Sequence, residues 1–311
     1  MFNKKLNLHK LIIIIIFLFC FITNAQAAII TTIKPLGFII EAIANKVMNV
    51  DVLFPNKELK HHYYLKPSDI NKIKKADLFI WIGPEINSKF SKLMSYLDNN
   101  KKIQLTLVNE IQPFFFQSNN KKNFENFLIT DSRLKSENKI DTNLWLSPNI
   151  ALNIAKLVHH KLCKIIPNKK FKIDQNLLSF QHKIIQAKNQ ILIKLLPFYK
   201  KKYFLLNNTN QYFEKYFGLH PTIVLLPYHS TMQLNANYLY KIQQDLSKQK
   251  NSCIFIESSY NKNIIKILLK DSNIKVGIVD LFGSQIPLTK NSYISFLFML
   301  TKQYINCFKN T

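Results

Sequence analysis

IDQNLLSFQHKIIQAKNQILIKLL, the stretch from Ile173 to Leu196, decides the fold. Ile173, Leu177, Phe180, Ile184, Ile185, Ile191, Leu192 and Leu195 recur at helical spacing with no Pro or Gly between them. That pattern predicts one long amphipathic helix. On either side of it, short apolar runs alternate with helical patterns. The runs are Ile29 to Ile33, Val50 to Phe54, Leu78 to Ile82 and Ile103 to Val108 before the helix, and Tyr203 to Leu206, Thr222 to Leu226, Cys253 to Glu257 and Lys275 to Asp280 after it. Alternation of this kind marks βαβ units and a mostly parallel sheet. The pattern implies an α/β chain of two domains, one over 28–168 and one over 199–311, with a rigid helical connector over 169–198 that permits only small closure motions.

Among the expected helices, Pro35 to Val47 places Ile39, Ile40, Ile43 and Val47 on one face, and Pro67-Ser68-Asp69 opens another with Pro in its first turn. Between Gln117 and Thr142, Asn, Lys, Ser and Asp crowd out periodic apolar residues, which predicts a long surface loop. At the N-terminus, Lys4, Lys5 and Lys10 precede an apolar run from Leu11 to Ile22 and the small-residue sequence Asn24-Ala25-Gln26-Ala27. Residues 1–27 therefore read as a secretory signal peptide cut after Ala27, which sends the mature chain to the periplasm.

The net charge of +25 raises nucleic acid or an anionic membrane as partners. The lysines are scattered among Asn and Ile, however, and no nucleic-acid-binding motif accompanies them. With only five glycines there is no phosphate-cradling loop and no Gly-x-Ser-x-Gly elbow, and no nucleophile and base fall at recognisable spacing. Nucleotide-dependent and serine-hydrolase readings thereby lose most of their support, and no organic cofactor is implied. Cys20 leaves with the signal, and Cys163, Cys253 and Cys307 remain in a compartment where a disulfide can form.

Ligands of open α/β sheets bind beyond the carboxyl ends of the strands. The polar residues there are His61 and His62 after the second run, Asn207 and Asn208 after Leu206, Glu257 after Ile256, and Asp280 after Val279, together with Asn143 ahead of Leu144-Trp145. Each has a plain structural reading too: a histidine pair suits a solvated turn, and an Asp ending a strand often caps the next helix. His159 and Cys163 lie one helical turn apart, the spacing of metal ligands and equally of a surface His beside a half-buried Cys.

Several passages, in order, carry a resemblance. They are Thr32-Ile33-Lys34-Pro35-Leu36-Gly37-Phe38-Ile39, Leu65-Lys66-Pro67-Ser68-Asp69, Ala76 to Glu85, Leu144-Trp145-Leu146-Ser147-Pro148, Tyr212 to Leu219 and Val276-Gly277-Ile278-Val279-Asp280. Together they resemble the high-affinity zinc-uptake substrate-binding proteins of ABC importers across essentially the whole mature chain. The resemblance implies two Rossmann-like lobes joined by a long helix, with the metal held in the cleft between them. Cys253 and Cys307 fall at that family's disulfide positions. His61 matches its first metal-binding histidine and Asp280 its acidic residue in the second lobe. Asn143 and Asn207 stand where the family has histidines, and the Gln117 to Thr142 stretch, without a histidine, replaces its His- and acid-rich loop.

Zinc prefers imidazole and thiolate, whereas a neutral amide oxygen suits harder cations. The resemblance thus implies a monomeric, non-enzymatic component that captures Zn2+ or another divalent cation at His61, Asn143, Asn207 and Asp280, with His62, Glu58 and Glu257 as auxiliary donors. It would pass the metal to a membrane permease and its ATPase. The alternative is a derivative that no longer binds metal and serves as an adhesin or interaction protein on the same scaffold.

Overall fold

The computed structural model describes residues 28–54, 65–86, 89–114, 140–226, 236–249, 252–258, 260, 262–270 and 272–311. The signal-peptide reading, His61, His62, Glu58 and most of the Gln117 to Thr142 stretch lie outside the described residues. Two four-stranded parallel sheets form the scaffold. The first contains β1 (Ala28–Ile33), β2 (Asn49–Phe54), β3 (Leu78–Trp81) and β4 (Lys102–Gln104), in the order β2-β1-β3-β4. The second contains β5 (Tyr203–Asn207), β6 (Ile223–Leu226), β7 (Cys253–Glu257) and β8 (Lys275–Val279), in the matching order β6-β5-β7-β8.

The inner strands are apolar at nearly every position because both faces of a parallel sheet are covered. Their alternation sorts them into two layers. Ile29, Leu78, Ile80, Tyr203, Leu205, Cys253 and Phe255 face one central core that runs through both halves of the molecule. Ile30, Phe79 and Trp81 face an outer cluster on the first sheet, and Phe204, Leu206, Ile254 and Ile256 face another on the second.

The central core is walled by helices. These are α1 (Lys34–Ala44), α4 (Pro148–Ile165), α5 (Lys170–Leu195), α6 (Gln211–Phe217) and α9 (Ser292–Lys309). The remaining helices, α2 (Pro67–Lys75), α3 (Lys89–Ser95), α7 (Ala236–Ser247) and α8 (Lys262–Leu268), lie elsewhere on the sheets. The expected long helix is α5, whose 26 residues run for roughly 39 Å at 1.5 Å per residue. Its buried stripe is Ile173, Asn176, Phe180, Ile184, Ala187, Ile191 and Leu195, and Ile185 is exposed. Asn176 belongs in an apolar stripe because its amide donates to the carbonyls of Ile43 (2.8 Å) and Asn45 (2.9 Å), which the C-terminus of α1 would otherwise leave unpaired. Phe180 packs on Tyr293 of α9 and the Lys183 ammonium reaches Asn291 at 2.7 Å, so the connector grips both lobes rather than spanning open solvent.

Three expectations are corrected. The run from Ile103 to Val108 is a strand only to Gln104, after which Leu105–Leu107 coil into a 3-10 turn. The helix expected from Pro35 to Val47 ends at Ala44, and Lys46 adopts the left-handed region. The surface loop expected up to Thr142 ends inside the protein, where Asp141 and Thr142 are buried.

Cys253 at the start of β7 is bonded to Cys307 on α9, with their Cα atoms 6.0 Å apart. Closing 54 residues of sequence separation contributes about 4 kcal/mol in the chain-entropy account. The Cys253→Ala/Cys307→Ala protein is therefore expected to unfold at a clearly lower urea concentration than the oxidised wild type. Equal midpoints would show that the bridge does not stabilise the fold.

Candidate metal site between the lobes

The site is built from the carboxyl ends of the second sheet. Asn207 and Glu257 each lie two residues past the Leu205–Phe255 pair of β5 and β7, and Glu257 is level with Val279 of β8. The parallel register thus sets Asn207, Glu257 and Asp280 side by side on one edge, and the chain order reverses between β5 and β7 there. That reversal is the place where open α/β sheets bind ligands. The Asn207 amide donates to the Glu257 carboxylate at 3.3 Å, and the Thr209 hydroxyl donates to the Asn207 carbonyl oxygen at 3.4 Å.

Asp280 is buried, and it organises the turn after β8 rather than capping a helix. Its Oδ1 accepts from the Phe282 N–H at 3.1 Å, and its Oδ2 accepts from the Ser284 N–H at 2.8 Å and hydroxyl at 2.6 Å. The turn needs Gly283, which has φ of +60°, and a Cβ there would stand 2.8 Å from the Phe38 ring. Lys34, just beyond β1 in the other lobe, donates to the Ser284 carbonyl at 2.7 Å. Burial pulls its ammonium below the usual lysine value, and the charge of Asp280 opposes that shift.

The first lobe meets this edge through the segment before α4. Asn143 is fully buried and its amide donates to the Thr209 carbonyl at 3.0 Å. Asp141 accepts from the Asn143 N–H at 2.9 Å with one carboxylate oxygen and from the Gln211 amide at 2.7 Å with the other, while its carbonyl accepts from the Tyr212 hydroxyl at 2.8 Å. Tyr212 in turn accepts from the Phe114 N–H at 2.7 Å and stacks on the Phe114 ring at 4.4 Å. The Asp141 N–H also donates to the Phe114 carbonyl at 2.8 Å. The Trp145 indole N–H donates to the Leu281 carbonyl at 2.8 Å, one residue past Asp280.

Asn143, Asn207 and Asp280 are thus brought to one seam, with Glu257 beside Asn207. Among the described residues, none of them belongs to a group of three His, Cys, Asp or Glu ligand atoms within 4.8 Å. Sequence reasoning missed Asp141 and Gln211, which clamp the seam. The available signal was position: Asp141 and Thr142 closely precede the apolar run Leu144-Trp145-Leu146.

The match to known proteins is extensive. The family model described as zinc-uptake complex component A, periplasmic, covers residues 29–307. The chain belongs to this zinc-uptake family. Among its relatives, the high-affinity zinc uptake system protein ZnuA of Buchnera aphidicola subsp. Schizaphis graminum (strain Sg) is 40% identical over 99% of this chain and 97% of its own length. The protein of the same name from Yersinia pestis is 34% identical over 92% of each. A crystal structure of ZnuA has a TM-score of 0.70 at 17% identity, covering 91% of this chain and 99% of that one. The periplasmic zinc-binding protein TroA from Treponema pallidum gives 0.70 at 16%, with the same coverage. At those identities the likeness is one of fold.

In this member of the zinc-uptake family, a buried carboxylate supports the site from behind. Glu214 on α6 accepts from the Tyr304 hydroxyl at 2.8 Å, and that hydroxyl accepts from the Asn210 amide at 2.8 Å, three residues past Asn207. Burial pushes the Glu214 carboxyl up to about 7. A raised acid favours folding below its unfolded value, and that contribution is lost as pH rises through the folded one. Stability should therefore fall as pH rises from about 4.5 to about 7, by up to about 3 kcal/mol, and level off above that. Urea unfolding of the wild type and of Glu214→Gln checks this, since the slope from this group should vanish in the variant. The same slope in both would assign it elsewhere.

Proposed function

We propose that this chain is the solute-binding component of a zinc ABC importer, which captures Zn2+, or another divalent cation, between its lobes and delivers it to a membrane permease driven by its ATPase. No bond is made or broken, so the protein is not an enzyme. The reading places it in the periplasm as a monomer, after removal of residues 1–27, with lobes over 28–168 and 199–311 and the connecting helix over 169–198. Family membership supports the transport role. The observation that carries the site is the convergence of Asn143, Asn207 and Asp280 on one inter-lobe seam. Nothing in that seam favours the adhesin alternative.

The proposed donors are the His61 imidazole, the Asp280 carboxylate and the amides of Asn143 and Asn207, with the Glu257 carboxylate as an auxiliary. Glu257 and Asp280 supply the negative charge that a dication needs on a strongly basic chain. The amides give such a site an oxygen-rich character and lower its preference for zinc over harder cations. Because α5 and the central core bind both lobes, closure on the metal is a small adjustment at the seam.

Calorimetry with Zn2+ and Mn2+ tests this directly. His61→Ala is expected to abolish binding at the cleft, and unchanged affinity in that variant would remove His61 from the site. Conversely, Asn143→His/Asn207→His should tighten zinc binding by at least roughly 10- to 100-fold, the loss usually attached even to outer-shell partners of a metal. No gain in a folded double variant would show that these positions do not face the metal.

A further inference from the structure

We propose that His159, Cys163 and Asp174 form a second zinc site on the outside of the first lobe, separate from the cleft. His159 and Cys163 stand one turn apart on one face of α4, and Asp174 lies in the second turn of α5, brought alongside by the short 3-10 turn Pro167–Lys169. The three ligand atoms lie within 4.8 Å of one another, and theirs is the group of this kind found among the described residues. His159 Nε2 is 3.7 Å from Cys163 Sγ and 2.6 Å from Asp174 Oδ1.

Tetrahedral zinc, with bonds of about 2.0–2.3 Å, sets adjacent ligand atoms roughly 3.3–3.7 Å apart. The imidazole and thiol already have that spacing. The imidazole and carboxylate are drawn together by their own hydrogen bond, and separating them by about 1 Å makes room for the ion. Lys170 holds the other oxygen, Oδ2, at 2.6 Å, which orients Oδ1 toward the site in the way that outer partners of metal ligands do. All three side chains are partly exposed, so a water can complete the fourth position, as in sites that exchange metal rather than in closed structural ones.

The donor set selects the cation. Thiolate with imidazole favours zinc and its softer relatives over Mn2+ or Mg2+, the opposite bias to the amides at the cleft. The two sites are also well separated, since His159 lies roughly 18 Å along α4 from Ser147 at the seam, at 1.5 Å per residue. Their tests are therefore independent.

Cys163 is the free cysteine among the described residues, which makes it a specific reporter. Alkylation of the natively folded mature protein, followed at Cys163 by peptide mass spectrometry, should slow by about tenfold or more on addition of Zn2+, because the metal occupies the reacting thiolate. Protection should persist in His61→Ala and disappear in His159→Ala. Co2+ should produce a thiolate-to-cobalt charge-transfer band in wild type and His61→Ala, absent from Cys163→Ser. Unchanged alkylation with Zn2+ and no such band in the wild type would overturn the site, even if the substituted proteins failed to fold.

Discussion

Trp145 is fully buried, so its indole N–H must find an acceptor inside the protein or carry a penalty of about 1–3 kcal/mol. It finds the Leu281 carbonyl, one residue past Asp280, and its own carbonyl accepts from the Tyr293 hydroxyl at 2.8 Å. The first lobe is thereby fixed against both the turn after β8 and helix α9. Asn143, two residues earlier, must then face Thr209, and Asp141 must meet Gln211 and Tyr212. This requirement that buried polar groups be paired sets the position of the candidate site. A slip of the lobes by one residue would leave several donors and acceptors unpaired at once.

The same seam explains how an altered donor set coexists with an intact fold. Asn143 occupies a position where the resemblance places an imidazole, yet its amide joins the lobes by donating to the Thr209 carbonyl. Asn207 likewise donates to Glu257 and accepts from Thr209. These are satisfied, largely buried polar groups, and they hold the sheet edge together whether or not a cation is bound. The chemistry that zinc prefers is found instead in the His159–Cys163–Asp174 group on the outer surface, where the helices α4 and α5 meet.

Strand existence was legible because parallel strands buried on both faces read as continuous apolar runs, and all eight runs become strands. Boundaries were less so: nothing in Leu105-Thr106-Leu107 announces the coil that ends β4. The long helix was legible from its period, whereas Asn176 looked like an interruption until the carbonyls of Ile43 and Asn45 appeared beneath it. Asp280 was placed correctly at a strand end, but its bonds to the Phe282 and Ser284 amides belong to a turn whose path a sequence does not show. Asp141 was misjudged for a related reason: a polar residue closing a polar stretch looks exposed, and only the tertiary partners Gln211 and Tyr212 compensate its burial. Motif order, by contrast, carried the family assignment over nearly the whole chain.

Metal capture in the seam where Asn143, Asn207 and Asp280 meet, as proposed above, has a direct crystallographic signature. Anomalous diffraction at the zinc absorption edge, from crystals of the mature protein grown with zinc, tests it most directly. Capture between the lobes gives a peak in the seam by Asn143, Asn207 and Asp280, separate from the one beside Cys163. Zinc confined to the His159–Cys163–Asp174 group, or a well-ordered cleft with no peak at all, would contradict capture between the lobes.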